Sequence, residues 1–397
     1  MKNIFLFLVL IPCFGFASQD STKVDSTMNK DAVFTRPSFK FERIPIAIGG
    51  YAEANTSYFA TDGVTEGLSF QMRRFTLYTY SRISNKLRFV SEIEFEDGAK
   101  EINIETAFLD LELHPLLTFR GGVVINPIGA FNQNHDGPKG YFVDRPIVAT
   151  ELIPSTWSNV GFGVHGRNNI WNCQWNYEVY LTNGFDDAII SNEKNRTWLG
   201  ASKDNIDRFE ENSNGMPLIT AKTAMKHEKA GELGISWMGG VYNTFRIDGL
   251  EVDSRRMVDV YALDYTVDLG KNTHFQAEIA KVVVDVPSTF TQQYGNKQWG
   301  FYTDLTRRFC HKKCLGFEES AWFLSARFEF ADYNISVFNE TDGKIHHDVI
   351  GYSLALSWRP VPQTVLRFNY RYFQETDILG NPPAKTGGFQ FGIATYF

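Results

Sequence analysis

From Ile44 onward the chain alternates apolar with polar residues in segment after segment, the period of a strand whose two faces meet different environments. Phe75, Leu77 and Thr79 alternate with Arg74, Thr76 and Tyr78; Leu87, Phe89, Ile93 and Phe95 alternate with Arg88, Glu92, Glu94 and Glu96. Trp171, Cys173, Trp175, Tyr177, Val179 and Leu181 interleave with Asn172, Gln174, Asn176, Glu178 and Tyr180. Trp322, Leu324, Ala326, Phe328 and Phe330 interleave with Ser325, Arg327 and Glu329, and the last segment sets Phe389, Phe391, Ile393, Thr395 and Phe397 on one face. A charge at every second position excludes a dry sheet core on that side. The pattern predicts about sixteen strands, at 46–58, 70–82, 86–96, 104–113, 117–126, 159–166, 171–182, 218–226, 231–243, 257–269, 273–285, 297–308, 321–333, 347–358, 363–373 and 387–397.

The connections carry a second pattern. Ser84-Asn85, His114-Pro115, Arg167-Asn168-Asn169, His227-Glu228-Lys229, Gly270-Lys271-Asn272 and Arg359-Pro360-Val361-Pro362 are short. Between them lie longer links at 59–69, 97–103, 127–158, 183–217, 244–256, 286–296, 334–346 and 374–386, and only 309–320 is long on the short side. Short and long ends that alternate are what a chain weaving across a bilayer leaves. No stretch of about eighteen apolar residues offers a membrane helix, so any spanning is done by strands. Unpaired backbone groups cost several kcal/mol each in hydrocarbon, so such a sheet must close on itself. The expected fold is all-β: a transmembrane antiparallel barrel too wide for side chains alone to fill, with an aqueous lumen.

Composition fits this setting. Aromatics form 15% of the chain, with 34 Phe and 17 Tyr, suited to a lipid-facing band with interfacial girdles. Lys2, the apolar run Ile4 to Phe16 and the small residues of Gly15-Phe16-Ala17 read as an export signal over 1–17; Pro12 before Cys13 departs from a lipoprotein box. Residues 18–43, rich in Ser, Thr, Lys and Asp, are expected to form a flexible periplasmic extension preceding a barrel over 44–397. The formal charge of -7 argues against nucleic acid as a partner.

These residues resemble a known family. Gln71-Met72-Arg73-Arg74-Phe75-Thr76-Leu77, Leu87-Arg88-Phe89-Val90-Ser91-Glu92-Ile93-Glu94-Phe95 and Arg120-Gly121-Gly122-Val123-Val124-Ile125-Asn126-Pro127-Ile128-Gly129 are similar to motifs of the phosphate-selective porin O and P family. The resemblance implies a sixteen-stranded homotrimeric channel in the cell outer membrane, passing small hydrophilic or anionic solutes, whose third loop, here 127–158, folds inward. In that family basic residues line the path. Here the loop sets Lys139 and Arg145 against Asp136, Asp144 and Glu151, and the next loop carries Asp186, Asp187, Glu193, Asp204, Asp207, Glu210 and Glu211. The terminal Phe397, with aromatics two apart before it, looks like the signal that such proteins present to their outer-membrane assembly machinery.

Strand parity puts Arg74, Arg88, Arg120, Arg327, Arg367 and Arg371 on the lumen row beside Glu92, Glu94, Glu96 and Glu329. Such rows can set ion selectivity, or pair across neighbouring strands and stiffen the wall. Lys139 and Arg145 are the candidates for contact with an anion at the constriction, and equally ordinary loop charges. Cys310 and Cys314 are expected as a disulfide in an oxidising compartment; with His311 they make only three metal donors, too few for a zinc pattern, and no metal or cofactor is expected. His346-His347 reads as a surface pair, and Cys173 as a small hydrophobe on the lipid row. Neither Gly-x-Ser-x-Gly, His-Glu-x-x-His nor Gly-x-x-x-x-Gly-Lys occurs, so catalysis is not expected. A second function fits the length and acidity of 127–158 and 183–217: a surface receptor or adhesin displaying those loops on a closed barrel.

Overall fold

The computed structural model describes residues 27–40, 45–194, 196–210, 214–290, 294–338 and 341–397; the export signal at 1–17 lies outside them. Sixteen long strands form one sheet: β1 (Ile46–Thr61), β2 (Val64–Arg82), β3 (Leu87–Glu96), β4 (Glu101–His114), β5 (Leu117–Ile125), β6 (Ser158–Ile170), β7 (Cys173–Thr182), β8 (Leu218–His227), β9 (Gly231–Val241), β10 (Met257–Leu269), β11 (Thr273–Val284), β12 (Lys297–His311), β13 (Ala321–Asp332), β14 (Asp348–Arg359), β15 (Thr364–Glu375) and β16 (Ala384–Tyr396). Each pairs antiparallel with the next, and β1 pairs with β16 from Tyr51 opposite Tyr396 to Thr61 opposite Thr386, which closes the barrel. At the seam the Phe397 N–H donates to the Gly50 carbonyl at 3.0 Å, while the Phe397 ring stacks on Phe75.

The two rows face as the alternation requires. Phe70, Leu109, Phe162, Leu305, Leu354 and Phe389 stand exposed on the outside, whereas Arg74, Glu92, Arg120, Glu178, Arg327 and Arg367 are buried inside. The lumen is more occupied than the expected open aqueous tube. On its β8 to β13 side the inward rows include an apolar patch beside their charged residues: Leu218, Val258, Val260, Ala262, Ala280 and Val282 pack with Ile128, Ile147, Val148, Leu152, Trp157, Phe185 and Ile189 of the two long loops. Burial of that apolar surface holds both loops inside the wall.

Several boundaries differ from the pattern-based expectation. The link placed at 59–69 is a two-residue turn, Asp62-Gly63, with φ of 50° and 85°, so β1 and β2 run on well beyond their predicted ends. Both positions in the left-handed region define the tight hairpin turn whose twist matches its strands. Similarly, 97–103 shrinks to residues 97–100, and the turn expected at Arg167-Asn168-Asn169 lies at Trp171-Asn172, where Trp171 has φ 53°. Cys310 and Cys314 are free thiols rather than a disulfide: Cys310 is held in the ladder opposite Trp322, while Cys314 sits in the following turn, bridged to Phe317.

Of the extension expected over 18–43, residues Thr27–Lys40 are described, and many of these lie inside the barrel. Thr27, Asn29, Lys30, Asp31, Ala32 and Arg36 are buried, Ala32–Phe34 form a single 3-10 turn, and Phe39–Lys40 pair with Ile48 and Ala47 of β1. A polar sequence can be buried here because the wall it meets is itself charged.

Candidate functional site

The loop between β5 and β6 crosses the lumen, and wall side chains match its backbone polar groups. The Ala130 and Phe131 N–H groups donate to Glu278 at 2.9 and 3.0 Å, and the Ile147 N–H to Glu329 at 2.7 Å. Lys222 donates to the Gly129 carbonyl, Ser357 to that of Tyr141, and Arg327 to that of Asp144. Buried peptide groups need partners, so these wall residues fix where the constriction sits.

Most of the arginines singled out from sequence are committed to carboxylates or to this loop. Arg120 holds Asp110 in a bidentate pair at 2.7 and 2.9 Å, and Arg327 holds Asp304 likewise at 2.7 and 2.8 Å; each acid stands directly opposite on the neighbouring strand. Arg74 bridges Glu53 at 3.1 Å, Glu96 at 3.0 Å and Glu94 at 3.3 Å. Arg367 binds Glu53 at 2.7 Å and also the Gly137 and Phe142 carbonyls. Arg371 and Arg73 both grip Asp144. Burial works against ionisation of Asp144, yet Arg371 and then Arg73 overcome it and hold that carboxyl well below the usual range. Arg88, half-buried towards the short-link end, pairs with Glu112 at 3.1 Å.

The two loop candidates part company. Lys139 is taken up by Asp136 at 3.3 Å and by the Ala32 carbonyl at 3.1 Å, so it fastens the N-terminal segment. Arg145 donates only through Nη1, to the Ser155 carbonyl, leaving Nε and Nη2 without a partner. Burial and then neighbouring Arg74 lower its pKa, although a guanidinium stays charged at neutral pH. It lines a lumen cavity of about 400 Å³, which runs between the loop and the wall near Asp268, His274, Gln276 and Thr306. Five acidic residues, Glu53, Asp136, Asp144, Asp268 and Asp304, and five basic ones, Arg74, Lys139, Arg145, Arg327 and Arg367, line that space.

The N-terminal segment is the part that sequence reasoning missed. Arg36 reaches Asp136 through two nitrogens at 2.9 and 2.6 Å and Glu92 through a third at 2.6 Å. The Met28 N–H and the Asn29 amide donate to Glu232, and Arg167 lies 3.7 Å from Asp31. Burial opposes ionisation of Asp136, but Arg36 and then Lys139 hold its carboxyl far below the ordinary range. Three of the missed acids, Glu53, Asp110 and Asp304, stand directly opposite Arg74, Arg120 and Arg327, a pairing that needs the strand register to be seen; Glu105 lies outside any such pair and meets His135 of the loop.

No known family profile matches the chain. An uncharacterised protein of Aquifex aeolicus (strain VF5) is 32% identical over 146 residues, 35% of this chain; the match spans about a third of that relative's length. Among solved structures, the chain is similar to Salmonella typhi OmpF in complex with daunomycin (TM-score 0.58, 11% identity, 91% of this chain and 100% of that one). It is also similar to an anion-selective porin from Comamonas acidovorans (0.55, 12%, 89% and 99%) and to the trimer form of OmpT, an outer membrane protein of Vibrio cholerae (0.53, 10%, 89% and 99%). At these identities the likeness establishes a shared barrel fold.

Proposed function

We propose that this chain is an outer-membrane porin that lets small hydrophilic solutes, anions such as phosphate among them, diffuse passively. One observation carries the reading: a closed barrel with an apolar outside and a charged inside keeps a cavity of about 400 Å³ beside an inward-folded loop. Equal numbers of acidic and basic groups along that cavity leave little net field, so discrimination between ions is weak and a modest anion preference rests on Arg145. The neighbouring trimer form supports assembly as a homotrimer, and the exposed aromatic row ending at Phe397 suits recognition by the assembly machinery. Swelling of proteoliposomes in neutral sugars of graded size tests the passage, and reversal potentials under a salt gradient test the preference. A strong cation preference, with chloride current unaffected by phosphate, would remove anions from the reading.

A receptor or adhesin role is favoured by a different observation: loops 126–157 and 183–217 share a dry core inside the wall, as a rigid display platform would. Removing residues 183–217 alters solute flux in a channel, whereas in a receptor it abolishes ligand capture with flux negligible throughout.

A further inference from the structure

Glu92 of β3, Glu105 of β4 and His135 of the inward loop each aim one ligand atom into a common space, all within 4.8 Å of one another, and all three are buried. We propose that they bind a divalent first-row transition-metal ion, with zinc as the reference case.

The hydrogen bonds favour a cation at this point. His135 Nδ1 lies 3.0 Å from the Asn132 carbonyl, which can only accept, so Nδ1 carries a hydrogen and the lone pair of the neutral ring sits on Nε2. That nitrogen faces Glu105 Oε2 at 3.0 Å, an acceptor against an acceptor unless a proton or a metal lies between them. Ligands bound at about 2.0–2.2 Å around one tetrahedral ion sit about 3.3–3.6 Å apart, so small side-chain shifts, His135 and Glu105 spreading by a few tenths of an ångström, bring the three atoms to that spacing. Glu92 is fully buried and its Oε1 has no partner, while Arg36 engages Oε2 and leaves that first oxygen free. Asp136 Oδ1 lies 3.9 Å from His135 Nε2 but is held by Arg36 at 2.6 Å, so the fourth position is left for water or solute. The Asn132 carbonyl fixes the tautomer of the ring, as outer partners of metal-binding histidines do. One imidazole among carboxylates suits zinc and its neighbours better than calcium or magnesium, which prefer oxygen alone. His135 and Asp136 line the lumen cavity, which gives the ion a way in.

The test uses the folded full-length barrel in detergent, titrated with zinc ions against a chromophoric chelator. One site is expected, weakened roughly a hundredfold or more in His135→Asn and in Glu105→Gln, and unchanged in the double variant Cys310→Ser/Cys314→Ser, which removes the only close thiol pair among the described residues. Should either lumen variant fail to fold, zinc-edge X-ray absorption on the unaltered protein decides alone. A first shell of nitrogen and oxygen with one imidazole supports the site. Sulfur in that shell, or no binding up to millimolar zinc, overturns it and leaves His135 as an imidazolium paired with Glu105.

Discussion

Arg36 is the main charge anchor of the segment that enters the lumen, and Arg36→Ala should release that segment. Its guanidinium makes three short contacts to Asp136 and Glu92, two carboxylates that are themselves fully buried. With the arginine gone and the segment still docked, both carboxylates would remain buried with one cation fewer, whereas undocking lets water reach them. Removing one partner of a buried pair costs about 3–5 kcal/mol, so the undocked population should rise about 150- to 5,000-fold. When opening is fast relative to cleavage, proteolysis reads that population directly. Trypsin cleavage after the buried Lys30 of the folded barrel, followed by mass spectrometry, should therefore accelerate by about two orders of magnitude or more. An acceleration below threefold would refute the idea that these ion pairs hold the segment. The pH dependence has a definite sign. Asp136 has a depressed pKa when docked, so its contribution is complete above the ordinary aspartate value and is lost as pH falls through the docked one. The Asp136 contribution should thus be constant above about pH 5 and weaken only in strong acid.

Other perturbations test other parts of the fold. Gly122→Ala should destabilise the barrel by about 1–3 kcal/mol, because Gly122 has φ 126° and a Cβ there would meet the Ala107 carbonyl oxygen; a lower urea midpoint of unfolding in lipid vesicles checks it. Leu354→Arg places a charge on the exposed outer row of β14 and should cost about 2–4 kcal/mol if that position lies near the midplane, read by the same unfolding. Arg145→Ala should move the reversal potential under a potassium chloride gradient towards cation preference and abolish any block by phosphate, with conductance nearly unchanged.

How much was legible depends on which physical rule each residue obeys. All sixteen strands follow from alternation, because lipid on one side and charge on the other leave no freedom in the parity of Phe89 against Arg88 or Leu324 against Ser325. Turn chemistry was read less well. Asp62-Gly63 is a strong hairpin signal, yet it lay within a stretch, 59–69, expected as one long link. Trp171 continues the apolar row and so hid a turn in which its own backbone is left-handed. The site was legible as charge and not as partnership: the arginines stood out, while Glu53 and Asp110 mattered only once strand register was known. Residues 27–38 carry no apolar periodicity, since the segment is held largely by Asn29, Asp31 and Arg36, with only Val33 and Phe34 packing on an apolar patch around Phe108.

Planar-bilayer recording of the purified, folded protein bears most directly on the proposed water-filled passage. Discrete, reproducible conductance steps are expected on insertion, larger in Arg36→Ala than in the unaltered chain. A barrel shown to be folded and inserted that yields no steps, in either form, would mean that the lumen is shut and the channel reading is wrong.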